Sequence, residues 1–212
     1  MKDLELVDVD TDVWLRAPSP WHLQPDGPTD EEWAALLTDA VWTGVEPAPE
    51  AADRERTRRL LLAAGSRETP DPASGWAWKY LHLPAPDDEP VPALIAFLPP
   101  DGPRDEVLRS LVRANDPTCV EPPMVEEVET PIGQALRALA YHVTADANGD
   151  ESLLATLSYA WRAEDPDGDP SASLDVRLWT GYTPDRVIAM ADDVERLARS
   201  LRWVDVPGET AG

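Results

Sequence analysis

Cys119 and the histidines His22, His82 and His142 are the thiol and imidazole groups of this chain. Cys119 with His142 or His82 would form a thiol–imidazole pair if the fold joined them. Nucleophilic use of such a pair needs an activated thiolate and an oxyanion site. Nothing around Cys119 reads as a strand-to-helix nucleophile elbow, and Pro117, Pro122 and Pro123 surround it with irregular backbone. The reading is an incidental, dispensable cysteine. No two histidines stand at helical metal-ligand spacing, and one cysteine can form neither an intrachain disulfide nor a cysteine-based zinc site. Metal ligands, catalytic residues and cofactor-binding residues are therefore set at none, and no cofactor is expected.

Three acidic segments invite a calcium reading. Asp165-Pro166-Asp167-Gly168-Asp169 opens like a calcium loop, but its twelfth position is Val176 where a bidentate Glu is required, and its flanks read as strands. Hairpin turns explain it and Asp146–Asp150 more simply. Asp8, Asp10 and Asp12 alternate as an exposed strand face. Arg54, Arg56, Arg58 and Arg59 form the one basic concentration. On a helix they face neighbouring acids, with Glu55 and Arg59 at favourable i,i+4 spacing; the sharper alternative is a contact surface for an acidic partner. Nine tryptophans stand against one phenylalanine. Trp33 and Trp161 fall on inward faces. Trp76, Trp78 and Trp179 would make a contact patch if exposed together, with core packing favoured. No phosphate loop, nucleophile elbow or H-E-x-x-H occurs.

The elements that must position these groups can be read in turn. A short strand near the N-terminus leads into a Pro-rich loop. Thr29 and Glu32 have capping-box spacing before a helix whose stripe is Trp33, Leu36, Leu37, Ala40 and Val41. A second helix runs from about Pro49 to Ala64 with Gly65 as its C-cap. Residues 67–75 read as a loop. Strands are expected over Trp76–Leu83 and Val91–Leu98, then a short helix over Asp105–Ala114. Further strands follow near Met124–Val128, Gly133–Val143, Leu153–Arg162 and Leu174–Thr180. Leu153, Ala155, Leu157, Tyr159 and Trp161 alternate with polar or small residues, the period of a half-buried antiparallel strand. Asn148-Gly149 and Asp167-Gly168 supply hairpin turns. Thr183 and Pro184 open a long amphipathic helix reaching Arg202.

The formal net charge is −23. Such a surface repels phosphate backbones and anionic membranes, so nucleic acid and membrane are not expected partners. A protein partner is expected, a basic one where binding is electrostatic. The acidic first residues lack a signal-peptide core and no apolar run reaches membrane length, which makes the expected location cytoplasmic.

Over residues 91–204 the order of elements resembles the PsbP-like α/β/α sandwich group, particularly its actinobacterial members of unknown role. Pro131, Gly133 and Arg137 match a Pro-Gly-led strand carrying an arginine, and Ser200, Leu201 and Arg202 match the closing Ser-Leu-Arg. The resemblance implies a binding or assembly role. The expected architecture is α+β: one domain over 1–212, helical in 1–75, with an antiparallel sheet covered by helices in 76–204. The expected function is a non-catalytic binding or assembly protein (adaptor, chaperone or immunity-like inhibitor). The alternative is a small enzyme with dispersed active-site residues. A pocket with convergent titratable groups favours the enzyme, and a flat acidic or Trp-bearing patch favours the binder.

Overall fold

The computed structural model describes residues 2–17, 29–66, 76–145, 148–166, 168–169 and 172–205. Residues 18–28, where the Pro-rich loop is expected to run, and the expected loop over 67–75 lie outside the described residues, as do Asp146, Ala147 and Asp167. The chain falls into two compact units, residues 10–96 and residues 1–9 with 97–212.

In the first unit, strand β2 (Trp14–Arg16) pairs antiparallel with β3 (Trp76–His82), and β3 pairs antiparallel with β4 (Val91–Leu98). Helices α1 (Asp30–Val41) and α2 (Ala51–Ser66) pack on each other. The capping box at α1 is present: Glu32 N–H donates to Thr29 Oγ1, and Thr29 N–H donates to Glu32 Oε2 at 2.9 Å. The buried stripe of α1 differs from the expected one. Trp33, Ala34 and Thr38 face inward, whereas Leu36 is 64% exposed. A hydroxyl takes an inward place because Thr38 Oγ1 donates to Ala34 O at 2.7 Å, satisfied within the helix itself. Gly65 lies inside α2 instead of capping it. A Cβ there would stand 2.8 Å from the Trp33 ring, so the glycine admits the indole. Lys79, 4% exposed, instead meets the helix end, donating to Ala64 O at 2.5 Å and Gly65 O at 3.2 Å. A cation there complements the helix dipole.

Of the arginine run on α2, Arg54, Arg58 and Arg59 pair with acids of their own unit. Arg54 meets Asp39 at 2.8 Å, Arg58 meets Glu55 and Glu31, and Arg59 meets Glu55 at 3.8 Å.

In the second unit, β1 (Lys2–Leu6) pairs antiparallel with β9 (Leu201–Asp205). Strands β5 (Met124–Thr130), β6 (Gly133–Ala145), β7 (Glu151–Ala163) and β8 (Leu174–Tyr182) form an antiparallel meander in sequence order. The expected strands are all present here, each longer than its sequence estimate. The Asp8–Asp12 series is not a strand face: β1 ends at Leu6, Asp8 takes φ 58°, and Asp12 N–H donates to Asp10 Oδ1. Both hairpin glycines take positive φ, and Asp169 N–H donates to Asp165 Oδ2, an acid serving the turn it sits in.

Register divides the meander into two faces. Arg137, Tyr159 and Leu178 share one; Ala138, Ser158 and Trp179 share the other. Helix α4 (Pro184–Ala189) packs on β7 and β8, and α5 (Ala191–Arg199) follows it. Helix α3 (Arg104–Leu111) lies on the opposite face, where Leu108 and Val112 pack with Leu136, Ala138 and Ala160. Hence β7 is buried on both sides from Ala155 to Trp161, not half-buried. The expected single C-terminal helix is broken at Met190 and ends at Arg199, after which Leu201 begins β9. Strand β1 offers Leu201–Asp205 a full antiparallel ladder, a long-range partner that helical periodicity cannot reveal.

Candidate functional site

Helix α3 is too short to cover its face of the sheet. Eight residues of helix span about 12 Å, whereas thirteen residues of strand span about 43 Å. Beyond the end of α3 the strands line a cavity of about 310 Å³. Its floor comes from alternate residues of three strands: Ala140, His142 and Thr144 of β6, Leu154, Thr156 and Ser158 of β7, and Arg177 and Trp179 of β8. Its rim comes from Arg113, Thr118 and Cys119 in the segment between α3 and β5. A larger depression of about 660 Å³ runs along α3 and its terminal turn with Glu106, Arg109 and Asp116. It mixes charges on one element and is the more open of the two.

Two backbone features shape the cavity. Arg113 has φ 54° and closes α3, with Ala114 N–H donating to Arg109 O at 2.9 Å. That left-handed position ordinarily takes Gly or Asn. Here it carries a cationic side chain that lines the cavity. Gly181 is the second feature: a Cβ there would stand 2.8 Å from the Trp179 ring and 3.3 Å from Thr156 Cγ2. Its missing side chain lets the indole lie back across β8 beside Thr156.

The segment carrying Cys119 continues the sheet beyond β5. Cys119 bridges His142 as a cross-strand pair, and Val120 N–H donates to Tyr141 O at 2.8 Å. The sulfur lies 3.9 Å from both His142 ring nitrogens. Thr118 Oγ1 stands 3.5 Å from Nδ1, and Thr156 Oγ1 stands 3.5 Å from Nε2. Asp116 is fixed beside them, its Oδ1 accepting from Thr118 N–H at 2.9 Å and Thr118 Oγ1–H at 2.6 Å. Those two bonds hold the Asp116 carboxyl below its usual range.

Electrostatics separate binding from nucleophilic chemistry. Burial, then the neighbouring Asp116, push the Cys119 thiol up, the reverse of what an attacking thiolate needs. Burial first, then repulsion from Arg113, push the Arg177 guanidinium down to about 10. Among the described residues lining the cavity none is an Asp or Glu.

Of the sequence candidates, the fold joins Cys119 with His142 and leaves His82 in the other unit, its ring edge-on to Trp14 with centroids 5.0 Å apart. His22 lies outside the described residues. Trp33 and Trp161 are buried as expected; Trp78 is partly buried; the side chain of Trp76 lies outside the described residues. Trp179 is partly buried and lines the cavity. The residues missed in sequence are Arg113, Arg177, Thr118, Thr156 and Ser158. The alternation of β7 placed Thr156 and Ser158 on one face, and an arginine just after the helical stripe of α3 was a signal available at Arg113.

Arg137, which carried part of the family resemblance, sits over the Tyr159 ring at 6.0 Å and pairs with Glu126. Ser200 Oγ donates to Leu197 O at 2.7 Å, closing α5, and Leu201 is buried.

No family model matches the chain, so the PsbP-like resemblance gains no support at the level of sequence families. No curated protein matches it. Among solved structures, one similar chain is LpqN, involved in cell envelope biogenesis of Mycobacterium tuberculosis. It shares 12% identity at a TM-score of 0.41, covering 66% of this chain and 78% of LpqN. Among the described residues no helix is long and apolar enough to cross a membrane.

Proposed function

We propose that this protein is a non-catalytic binding protein that takes a small oxyanion with an apolar portion, a carboxylate or a phosphate monoester, in the cavity on the α3 face. One observation carries the reading. In a chain of net charge −23, the described residues lining the cavity include Arg113 and Arg177 with hydroxyl donors and no Asp or Glu, with Asp116 beside the rim and 3.6 Å from Arg113. A half-buried guanidinium offers charge-assisted hydrogen bonds to an arriving anion. Leu154, Val143 and Trp179 offer the apolar wall. The pocket does converge titratable groups, a feature that favours an enzyme. The raised thiol argues against nucleophilic catalysis and for binding.

The test is a calorimetric titration of aliphatic and aromatic carboxylates, phosphate monoesters and matched neutral alcohols, repeated on Arg177→Met. Saturable binding of an anion, absent for the alcohol and weakened at least 10-fold in Arg177→Met, supports the reading. Equal affinity for anion and alcohol, or no binding by either, overturns it. The exterior of the same protein is suited to a basic protein partner. Such binding would fall steeply from low to physiological salt, because exposed charge pairs are screened. A partner whose affinity is flat over that range removes the electrostatic part of the proposal.

A further inference from the structure

Asp116, Cys119 and His142 each place one potential ligand atom within 4.8 Å of the other two. Their proximity is created by the cross-strand bridge between Cys119 and His142, not by sequence spacing. A tetrahedral divalent ion with bonds of about 2.3 Å to sulfur and about 2.05 Å to nitrogen holds those two atoms about 3.6 Å apart. The observed 3.9 Å is within a small side-chain adjustment of that separation.

We infer that Asp116, Cys119 and His142 form a binding site for a soft divalent transition metal, with zinc as the best match to one thiolate, one imidazole and one carboxylate. The surroundings fit. Since the sulfur is equidistant from both ring nitrogens, a turn of the imidazole about its Cβ–Cγ bond presents either to the ion. In the observed ring orientation each nitrogen has a hydroxyl 3.5 Å away, Thr118 at Nδ1 and Thr156 at Nε2. Outer partners of that kind set the tautomer and orientation of ligating histidines. Asp116 is likewise held through Oδ1, which leaves Oδ2 for coordination, with Arg113 Nη1 3.6 Å from it. A carboxylate and a thiol side by side oppose each other's ionisation, and a shared cation removes that opposition. Binding releases the thiol proton to solvent, so one thiolate–metal bond forms as one S–H bond breaks. Three protein ligands leave a fourth position for water or an exogenous group.

This inference shares Cys119 and His142 with the cavity but does not rest on the anion proposal, and titrating anions into chelator-treated protein keeps the two apart. The direct test adds Co²⁺ alone to chelator-treated full-length protein and follows absorbance, then displaces it with Zn²⁺. One equivalent should produce a thiolate-to-cobalt charge-transfer band with tetrahedral visible bands, lost on adding Zn²⁺. Cys119→Ser should abolish the charge-transfer band, and His142→Ala and Asp116→Asn should each weaken binding at least 10-fold. Circular dichroism of every variant checks the fold, and Thr38→Ala, in the other unit, serves as a control that keeps the band. Absence of the charge-transfer band at one equivalent in folded wild-type protein overturns the inference. So does a band that persists at unchanged affinity in folded His142→Ala.

Discussion

The two faces of the β5–β8 sheet are made by alternate residues of the same strands, yet they serve opposite ends. On the α4–α5 face, Leu157, Tyr159, Trp161 and Leu178 are at most 1% exposed, and Val194 and Leu197 of α5 are equally buried. On the α3 face only the end nearest Leu136 and Ala160 is covered by an apolar cluster. The remainder carries Thr156, Ser158, His142 and Arg177 beside a cavity. A face becomes core where two successive helices cover it, and becomes a site where a single short helix stops. Hydroxyls show the same contrast. Tyr159 Oη is buried on the covered face with no hydrogen-bond partner among the described residues, whereas the hydroxyls of the open face line the cavity.

The contrast is tested most severely at Trp161. Its ring stacks on Tyr159 at 5.8 Å, and its Nε1 donates to Thr130 Oγ1 at 2.9 Å. Trp161→Ala should cost about 3–5 kcal/mol in urea denaturation, the range for emptying a large buried aromatic site. Thr156→Ala on the open face should cost less than about 1 kcal/mol by the same measurement. Equal losses would erase the distinction between the faces.

A second variant sharpens what charge does on the α3 face. Asp175, 1% exposed, receives Arg162 through Nε at 2.8 Å and Nη2 at 2.9 Å, while Arg162 Nη1 donates to Gly102 O at 3.0 Å. Asp175→Ala strands that guanidinium and should cost about 3 kcal/mol. Arg177→Met should lower anion affinity, and the urea midpoint of the same variant separates a binding role from a structural one. A large stability loss in Arg177→Met would make Arg177 structural, like Arg162.

Smaller gains in stability, opposite in sign to these losses, are expected at Tyr159 and Arg113. Tyr159→Phe removes a hydroxyl buried without a partner and should raise stability by about 1 kcal/mol. Burial pushes the Tyr159 phenol up to about 12, whereas an unfolded tyrosine ionises near 10. The unfolded chain therefore loses its proton first, and stability declines as pH rises from about 10 toward 12. Thermal melts from pH 9 to 11.5 should show a shallower decline in Tyr159→Phe; an unchanged slope would assign the loss to other groups. Arg113→Gly relieves a left-handed backbone position worth about 1 kcal/mol. It should raise Tm slightly and weaken anion binding by a few-fold. A variant that loses neither anion affinity nor strain would remove Arg113 from the site.

Local signals were legible wherever the physics is local. The capping box at Thr29 and Glu32, the turn glycines Gly149 and Gly168, and the alternation through β7 follow from backbone conformation and side-chain period, which a few neighbouring residues set by themselves. The core tryptophans were legible for the same reason, since Trp33 and Trp161 lie in phase with apolar neighbours. Tertiary structure alone decided three other matters. It ended the C-terminal helix at Arg199, because β1 supplied a ladder for Leu201–Asp205. It buried both sides of β7 by placing helices on each face. It carried Cys119 to His142 across 23 residues of sequence, through one bridge at the end of a sheet edge. Sequence periodicity encodes which residues share a face of one element. Which faces meet, and where a covering helix runs out, depends on long-range pairing whose energy no local window contains.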